Sequence, residues 1–80
     1  MKEYIATFHT HLSALLTSRK LTALSVRAQM MPVPRKLSSS CGTCVRYWAN
    51  EPHLAAMDAD VEAVYETGAD GEYTRLLQND

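Results

Sequence analysis

The hydrophobic period of this chain changes at Thr10, and the change defines the first two elements. Tyr4–Phe8 is short, aromatic and β-branched, which predicts a strand. Thr10 suits the N-cap of a helix, and the apolar residues after it have the spacing of one helical face. Ser13 and Thr17 lie largely off that face. The predicted apolar face consists of Leu12, Leu15, Leu16, Ala23 and Leu24.

Two prolines limit the next strand. Val26–Val33 has the alternation of a strand, but Pro32 and Pro34 remove backbone donors from its end. We therefore expect the end of this strand at a sheet edge or already in a loop. After a polar segment, Thr43–Trp48 contains β-branched and aromatic residues and predicts a third strand.

The last third of the chain contains a second helix signal and a further strand. Pro52 suits the first turn of a helix, so we predict a short helix from His53 to about Ala59. Val61–Thr67 predicts a strand, and residues 68–71 predict a turn. For Tyr73–Leu77 the sequence leaves two alternatives open, a small extra strand or a short tail.

The predicted order is strand, helix, strand, strand, helix, strand. This order favours an α+β fold, a ferredoxin-like βαββαβ two-layer sandwich with an antiparallel sheet and two helices on one face. In that arrangement the first and third strands are central and the second and fourth are edges. We expect residues 1–80 to form a single domain that ends in a C-terminal turn and short tail, residues 68–80. If the other sheet face is uncovered, it offers a surface for a homodimer or a docking partner.

Composition and charge narrow the classes of function. The 80 residues are 46% hydrophobic and 21% charged, with a formal net charge of -1. This balance is typical of a soluble globular chain and argues against a general nucleic-acid binder, which usually has a basic excess. No apolar run is long enough for a signal peptide or a membrane span, so we expect a cytoplasmic protein. In that reducing compartment two cysteines favour redox, carrier or metal-binding roles over a structural disulfide.

Reactive residue types are concentrated around Cys41. It begins a Cys-x-x-Cys motif that ends at Cys44, and Gly42 follows it directly. A reactive thiol needs access, a lowered pKa and a backbone that lets a partner approach. Cations favour the thiolate, serines offer hydroxyl donors and glycine admits unusual backbone angles. The surrounding residues of these kinds are Arg35, Lys36, Ser38, Ser39, Ser40, Gly42 and Arg46.

The role of Cys44 has three alternatives. As a resolving thiol it would release sulfide from a Cys41 persulfide and form a disulfide, and as half of a dithiol it would be a redox centre. A thioredoxin-type pair, however, lies at the N-terminus of a helix, whereas Val45–Trp48 continues as a strand. Strand alternation places Cys44 on the face opposite Val45, which favours a packed residue.

A metal site is the main alternative from another class of function. One Cys-x-x-Cys supplies two of the four ligands of a structural zinc, and a second pair must come from elsewhere. His9 and His11 are the one close histidine pair in the chain. Their spacing is not diagnostic, and hydrogen bonding at a strand–helix junction is the favoured interpretation.

The chain also resembles a known family. The residues that carry the resemblance are Tyr4–His11, a following helix and Met31–Gly42, with the core Pro-Arg-Lys-Leu-Ser-Ser-Ser-Cys-Gly. In these segments it is similar to small bacterial domains of the selenium/sulfur carrier protein-like family, over about residues 3–67. The resemblance implies a cysteine before the glycine, here Cys41, that accepts sulfur or selenium. It also implies transient partners of the cysteine desulfurase or sulfurtransferase type.

We therefore predict a carrier of sulfur or selenium on Cys41, with no cofactor, rather than a stand-alone enzyme. The alternative is a non-catalytic interaction or zinc-binding module that uses Cys41 and Cys44, with His9 and His11 as further ligands. The sequence does not distinguish sulfur from selenium, and it identifies neither the donor nor the acceptor.

Overall fold

The computed structural model describes residues 1–79, which form a five-stranded antiparallel sheet with one α-helix. The order of strands across the sheet is β2-β3-β1-β4-β5. Within residues 1–79, no helix has the length and apolar character needed to cross a membrane. The elements along the chain are β1 Lys2–Phe8, α1 His11–Ala23, β2 Arg27–Pro32, β3 Thr43–Ala49, a 3-10 turn Leu54–Ala56, β4 Val61–Thr67 and β5 Tyr73–Gln78.

The predicted two-helix ferredoxin-like sandwich is wrong, because the second helix does not form. Only the single 3-10 turn Leu54–Ala56 occupies that segment. His53 has a φ of 50°, in the left-handed region, so the chain does not enter a right-handed helix there. The Asp58 carboxylate accepts hydrogen bonds from the Asp60 N–H and the Ser13 hydroxyl, a local arrangement that competes with helix formation.

The fourth strand is not an edge, contrary to the expectation from the ferredoxin-like arrangement. β5 pairs with β4 on its outer side, so the edges of the sheet are β2 and β5. The pairing of β4 with β5 contains a register shift between Val64 and Tyr65. The fold is therefore β-rich, with the C-terminal segment as an integral strand.

Helix α1 packs on the sheet with a face that the sequence pattern did not indicate. Thr10 is the N-cap as predicted, and its hydroxyl accepts a hydrogen bond from the Ser13 N–H. The buried helical residues are Ser13, Ala14, Thr17 and Leu21, whereas Leu12, Leu16 and Leu24 are exposed. Small side chains let the helix approach the sheet closely. Asp58 provides hydrogen bonds for the two buried hydroxyls: its carboxylate accepts from the Ser13 hydroxyl, and its N–H donates to the Thr17 hydroxyl.

The face of the sheet opposite α1 is partly covered by the segment between β2 and β3. Lys36 and Leu37 from that segment line a cavity of about 190 Å³ together with residues of β4, β5 and the turn between them. The Lys36 ammonium pairs with the Glu72 carboxylate at 3.1 Å. The other lining residues are Tyr65, Tyr73 and Arg75.

The burial of α1 predicts opposite results for the same substitution at two leucines of the helix. Leu21 is 0% exposed in the core and Leu16 is 44% exposed. We expect Leu21→Ala to lower the free energy of unfolding by about 2–5 kcal/mol, because it leaves a cavity. Leu16→Ala should change it by about 0.5 kcal/mol or less, as at other exposed sites. Urea unfolding followed by circular dichroism measures both, and equal losses would contradict the observed orientation of the helix.

Candidate functional site around Cys41

The segment that carries Cys41 connects two neighbouring strands at one end of the sheet. Pro32 of β2 pairs with Thr43 of β3, and the Val33 N–H donates to the Gly42 carbonyl at 3.2 Å. Residues 33–42 therefore form a closed loop, which we call the Cys41 loop. Gly42 has a φ of 73°, and a Cβ atom there would have no neighbour within 4 Å. The glycine is thus required by backbone conformation and not by lack of space.

Cys41 lies at the end of this loop, half-buried against the hydrophobic core. Its Sγ donates to the Thr43 carbonyl at 3.4 Å and lies 3.8 Å from the Ser39 hydroxyl. The Ser39 hydroxyl in turn donates to the Phe8 carbonyl at 2.8 Å, where β1 ends. The thiol therefore contacts β3 directly and is linked to β1 through Ser39, and it remains partly accessible.

Glu62 holds the residue that precedes Cys41. Its carboxylate accepts the Ser40 N–H at 3.0 Å and the Ser40 hydroxyl at 2.9 Å, and it lies 3.4 Å from His9 Nδ1. Partial burial on its own would raise the pKa of the Glu62 carboxyl. The hydrogen bonds from Ser40 and the nearby His9 outweigh that effect and lower this pKa below its ordinary value.

The two histidines near this end of the sheet have separate partners. His9 lies beside Glu62, and His11 Nδ1 lies 3.4 Å from the Thr43 hydroxyl. Among residues 1–79, no group of three or more histidine, cysteine or acidic side chains is arranged to hold a metal ion. The set proposed for zinc, Cys41, Cys44, His9 and His11, is therefore not assembled in the described part of the chain.

The cations that cluster around the cysteines in sequence either pair with other groups or are exposed in the fold. Arg46 Nη2 lies 2.7 Å from the Glu3 carboxylate, and its guanidinium stacks 5.0 Å above Trp48. Lys36 pairs with Glu72, and Arg35 and Ser38 are exposed. The described contacts of the Cys41 Sγ are instead Thr43 and Ser39, a carbonyl and a hydroxyl.

Cys44 is on β3 and completely buried. It is next to Thr7 and Met31 in the register of the sheet, and its Sγ donates to the Pro32 carbonyl at 3.8 Å. Burial raises the pKa of the Cys44 thiol to about 11. A negative charge on Cys41 adds to this rise, and the positive charge of Arg46 opposes it more weakly. Both thiols are free. The placement of Cys44 is that of a packed residue.

The sequence pattern did not single out Glu62 as part of this site. A signal was present in Val61, Ala63 and Val64, because apolar residues at these positions break the strict alternation of a strand. In the structure Thr7 pairs with Ala63 and Phe8 with Val61, so Glu62 is the extra residue of a β-bulge.

Comparison with known proteins identifies the family of this chain. A family model described as "Putative Se/S carrier protein-like" matches residues 3–65, and the chain belongs to this family. The matched region contains the Cys41 loop and Glu62, and ends before β5. Searches of curated proteins and of solved structures give no match.

The burial of Cys44 predicts selective alkylation. At pH 8 a thiol with a pKa of about 11 is ionised in about one molecule in a thousand, and the thiolate is the nucleophile. We therefore expect iodoacetamide to modify native protein at Cys41 and not at Cys44, whereas both react in urea. Peptide mapping by mass spectrometry measures this, and comparable labelling of both cysteines in native protein would contradict the packed role of Cys44.

The lowered pKa of Glu62 predicts an acid-sensitive loop. The contribution of Glu62 to stability is complete above its ordinary pKa of 4.5 and is lost as the pH falls through the lower value of the folded state. We expect the Ser40 amide to lose protection from hydrogen exchange in this range, before the sheet amides do. The Glu62→Gln variant should lack this step, and a step that persists in that variant would belong to another group.

Proposed function

We propose that this protein carries sulfur or selenium on Cys41 and transfers it between partner proteins. The observation that supports this most directly is the position of Cys41, half-buried and partly accessible within the region that matches the family. Cys44, the other thiol, is buried and has a raised pKa. A nucleophile must be both ionised and accessible, so Cys41 is the better acceptor of the two.

The proposed reaction is thiol–persulfide exchange. The Cys41 thiolate attacks the outer sulfur of a donor persulfide, R–S–SH, and a new S–S bond forms to that sulfur. The S–S bond of the donor breaks, and the donor leaves as the thiolate R–S⁻ with its electron pair. The product is Cys41–S–SH, with no net oxidation or reduction. A donor that holds selenium as R–S–SeH gives Cys41–S–SeH in the same way.

Neighbouring groups support the two states of the thiol in this scheme. The resting Cys41 thiol donates to the Thr43 carbonyl at 3.4 Å. After ionisation, the Ser39 hydroxyl at 3.8 Å can donate to the thiolate if it rotates away from the Phe8 carbonyl, because it has a single hydrogen to donate. These contacts form at an accessible loop, where a partner protein can reach the sulfur.

The proposed carrier role requires an accessible thiol and does not require a small-molecule pocket at Cys41. Two cavities, of about 300 and 190 Å³, are lined by other residues and not by Cys41. Ligand pockets of enzymes are usually at least as large as the first and contain the reactive groups. We therefore propose that a cysteine desulfurase or sulfurtransferase docks transiently at the loop, in a reducing cytoplasm.

The carrier proposal predicts a specific adduct. After incubation of reduced protein with a cysteine desulfurase and free cysteine, we expect intact-protein mass spectrometry to show a gain of one sulfur atom. A reductant should remove it, since a persulfide is reducible. The adduct should be absent from Cys41→Ser and retained in Cys44→Ser, which is the matched control because it changes the other cysteine. An adduct that persists in Cys41→Ser would contradict the proposal, and so would wild-type protein that gains no sulfur.

A further inference from the structure

The bulge at the start of β4 aims Glu62 at the Cys41 loop. Because Thr7 pairs with Ala63 and Phe8 with Val61, Glu62 has no partner of its own on β1. A bulge lets a side chain leave the regular alternation of a strand. Glu62 uses this freedom to accept both the N–H and the hydroxyl of Ser40.

The backbone of this bulge is held by the end of the chain that the structure describes. The Asn79 N–H donates to the Glu62 carbonyl at 2.8 Å, and its side-chain amide donates to the Val61 carbonyl at 2.9 Å. The same amide donates to the Ala59 carbonyl at 3.2 Å. Since Asn79 directly follows β5, the last strand fixes the position from which Glu62 extends.

We propose that Glu62 is a positioning residue for Cys41, whose carboxylate restrains Ser40 and so keeps the neighbouring Sγ half-buried at the end of the sheet. The inference relies on the proposed function in treating Cys41 as the sulfur acceptor. Hydrogen bonds to a carboxylate are stronger than those between neutral groups, and two of them at one residue restrain both its backbone and its side chain. His9, at 3.4 Å, is on the other side of this carboxylate.

Restraint at Ser40 affects chemistry through accessibility. Cys41 packs against the core, and the neighbouring Ser39 hydroxyl donates to the Phe8 carbonyl, so the position of the Cys41 Sγ depends on how this end of the loop lies against the sheet. When Ser40 is released, the thiol leaves the core and becomes equally accessible to any reagent. Glu62 therefore limits which reactants approach the sulfur, without touching it.

Alkylation of Cys41 by iodoacetamide measures this restraint without any sulfur donor. In Glu62→Ala we expect the rate constant at Cys41 to rise about tenfold, because hydrogen bonds to a charged acceptor are lost. Glu62→Gln keeps an acceptor for the Ser40 N–H but loses the charge, so its rate should lie between those of wild type and Glu62→Ala. Glu66→Ala removes a carboxylate, paired with Lys2, from the other end of β4. This matched control should leave the rate unchanged.

Ser40→Ala keeps the test decisive if Glu62→Ala fails to fold. Ser40 is exposed, and the substitution removes only the hydroxyl hydrogen bond, so we expect a rise of about threefold. Unchanged rates in the folded variants would overturn the inference. An equal rise in Glu66→Ala would also overturn it, because the loosening would then be general.

A parallel reaction separates this inference from the proposed function. Wild-type protein and the same variants are incubated with glutathione persulfide, and the sulfur on Cys41 is followed by mass spectrometry. Wild-type Cys41 that is alkylated but never gains sulfur would refute the carrier function, while the alkylation rates would still decide the role of Glu62. Sulfur gain with identical alkylation rates in all variants would refute the role of Glu62 alone.

Discussion

The double pairing of the central strand β1 is the constraint on which the rest of the molecule depends. β1 is hydrogen-bonded to β3 on one side and to β4 on the other, and Tyr4–Phe8 is entirely buried. A strand that is buried on both faces must be covered on each. Helix α1 covers one face. The Cys41 loop and long side chains of the sheet cover part of the other face. The Phe8 carbonyl at its end also accepts the Ser39 hydroxyl, so β1 locates the site as well as the core.

The first four strands and the helix start could be predicted because local sequence signals agree with the tertiary environment there, whereas β5 was left undecided between a strand and a tail. The second helix could not, since the left-handed His53 and the hydrogen bonds of Asp58 to distant groups decide that segment. The buried face of α1 was also hidden in the sequence. Leucines occur on several sides of this helix, so they do not define one apolar face. The side that packs on the sheet is the one with the small residues Ser13, Ala14 and Thr17.

The candidate site could be predicted only as far as contiguous sequence defines it. Cys41, Ser39 and Ser40 lie together in the chain and together in the fold. Arg46 is close to Cys41 in sequence but does not join this group in the fold. It lies on an extended strand, and its guanidinium pairs with the Glu3 carboxylate of the neighbouring strand. Glu62 reaches the site because β4 pairs with β1 and contains a bulge. The spacing of residues within one segment of the sequence does not predict such long-range pairing. Sequence thus indicates the proposed acceptor, Cys41, more readily than the groups that surround it in the fold.

Both outer strands of the sheet have features that oppose the addition of a strand from another copy. β2 ends in Pro32, which lacks an N–H, and carries the exposed Arg27. β5 carries the exposed Arg75 and pairs irregularly with β4. Proline, charge and irregular pairing make an edge a poor template for intermolecular β-structure. We therefore expect little tendency toward ordered aggregation, even though the sheet makes up most of the fold.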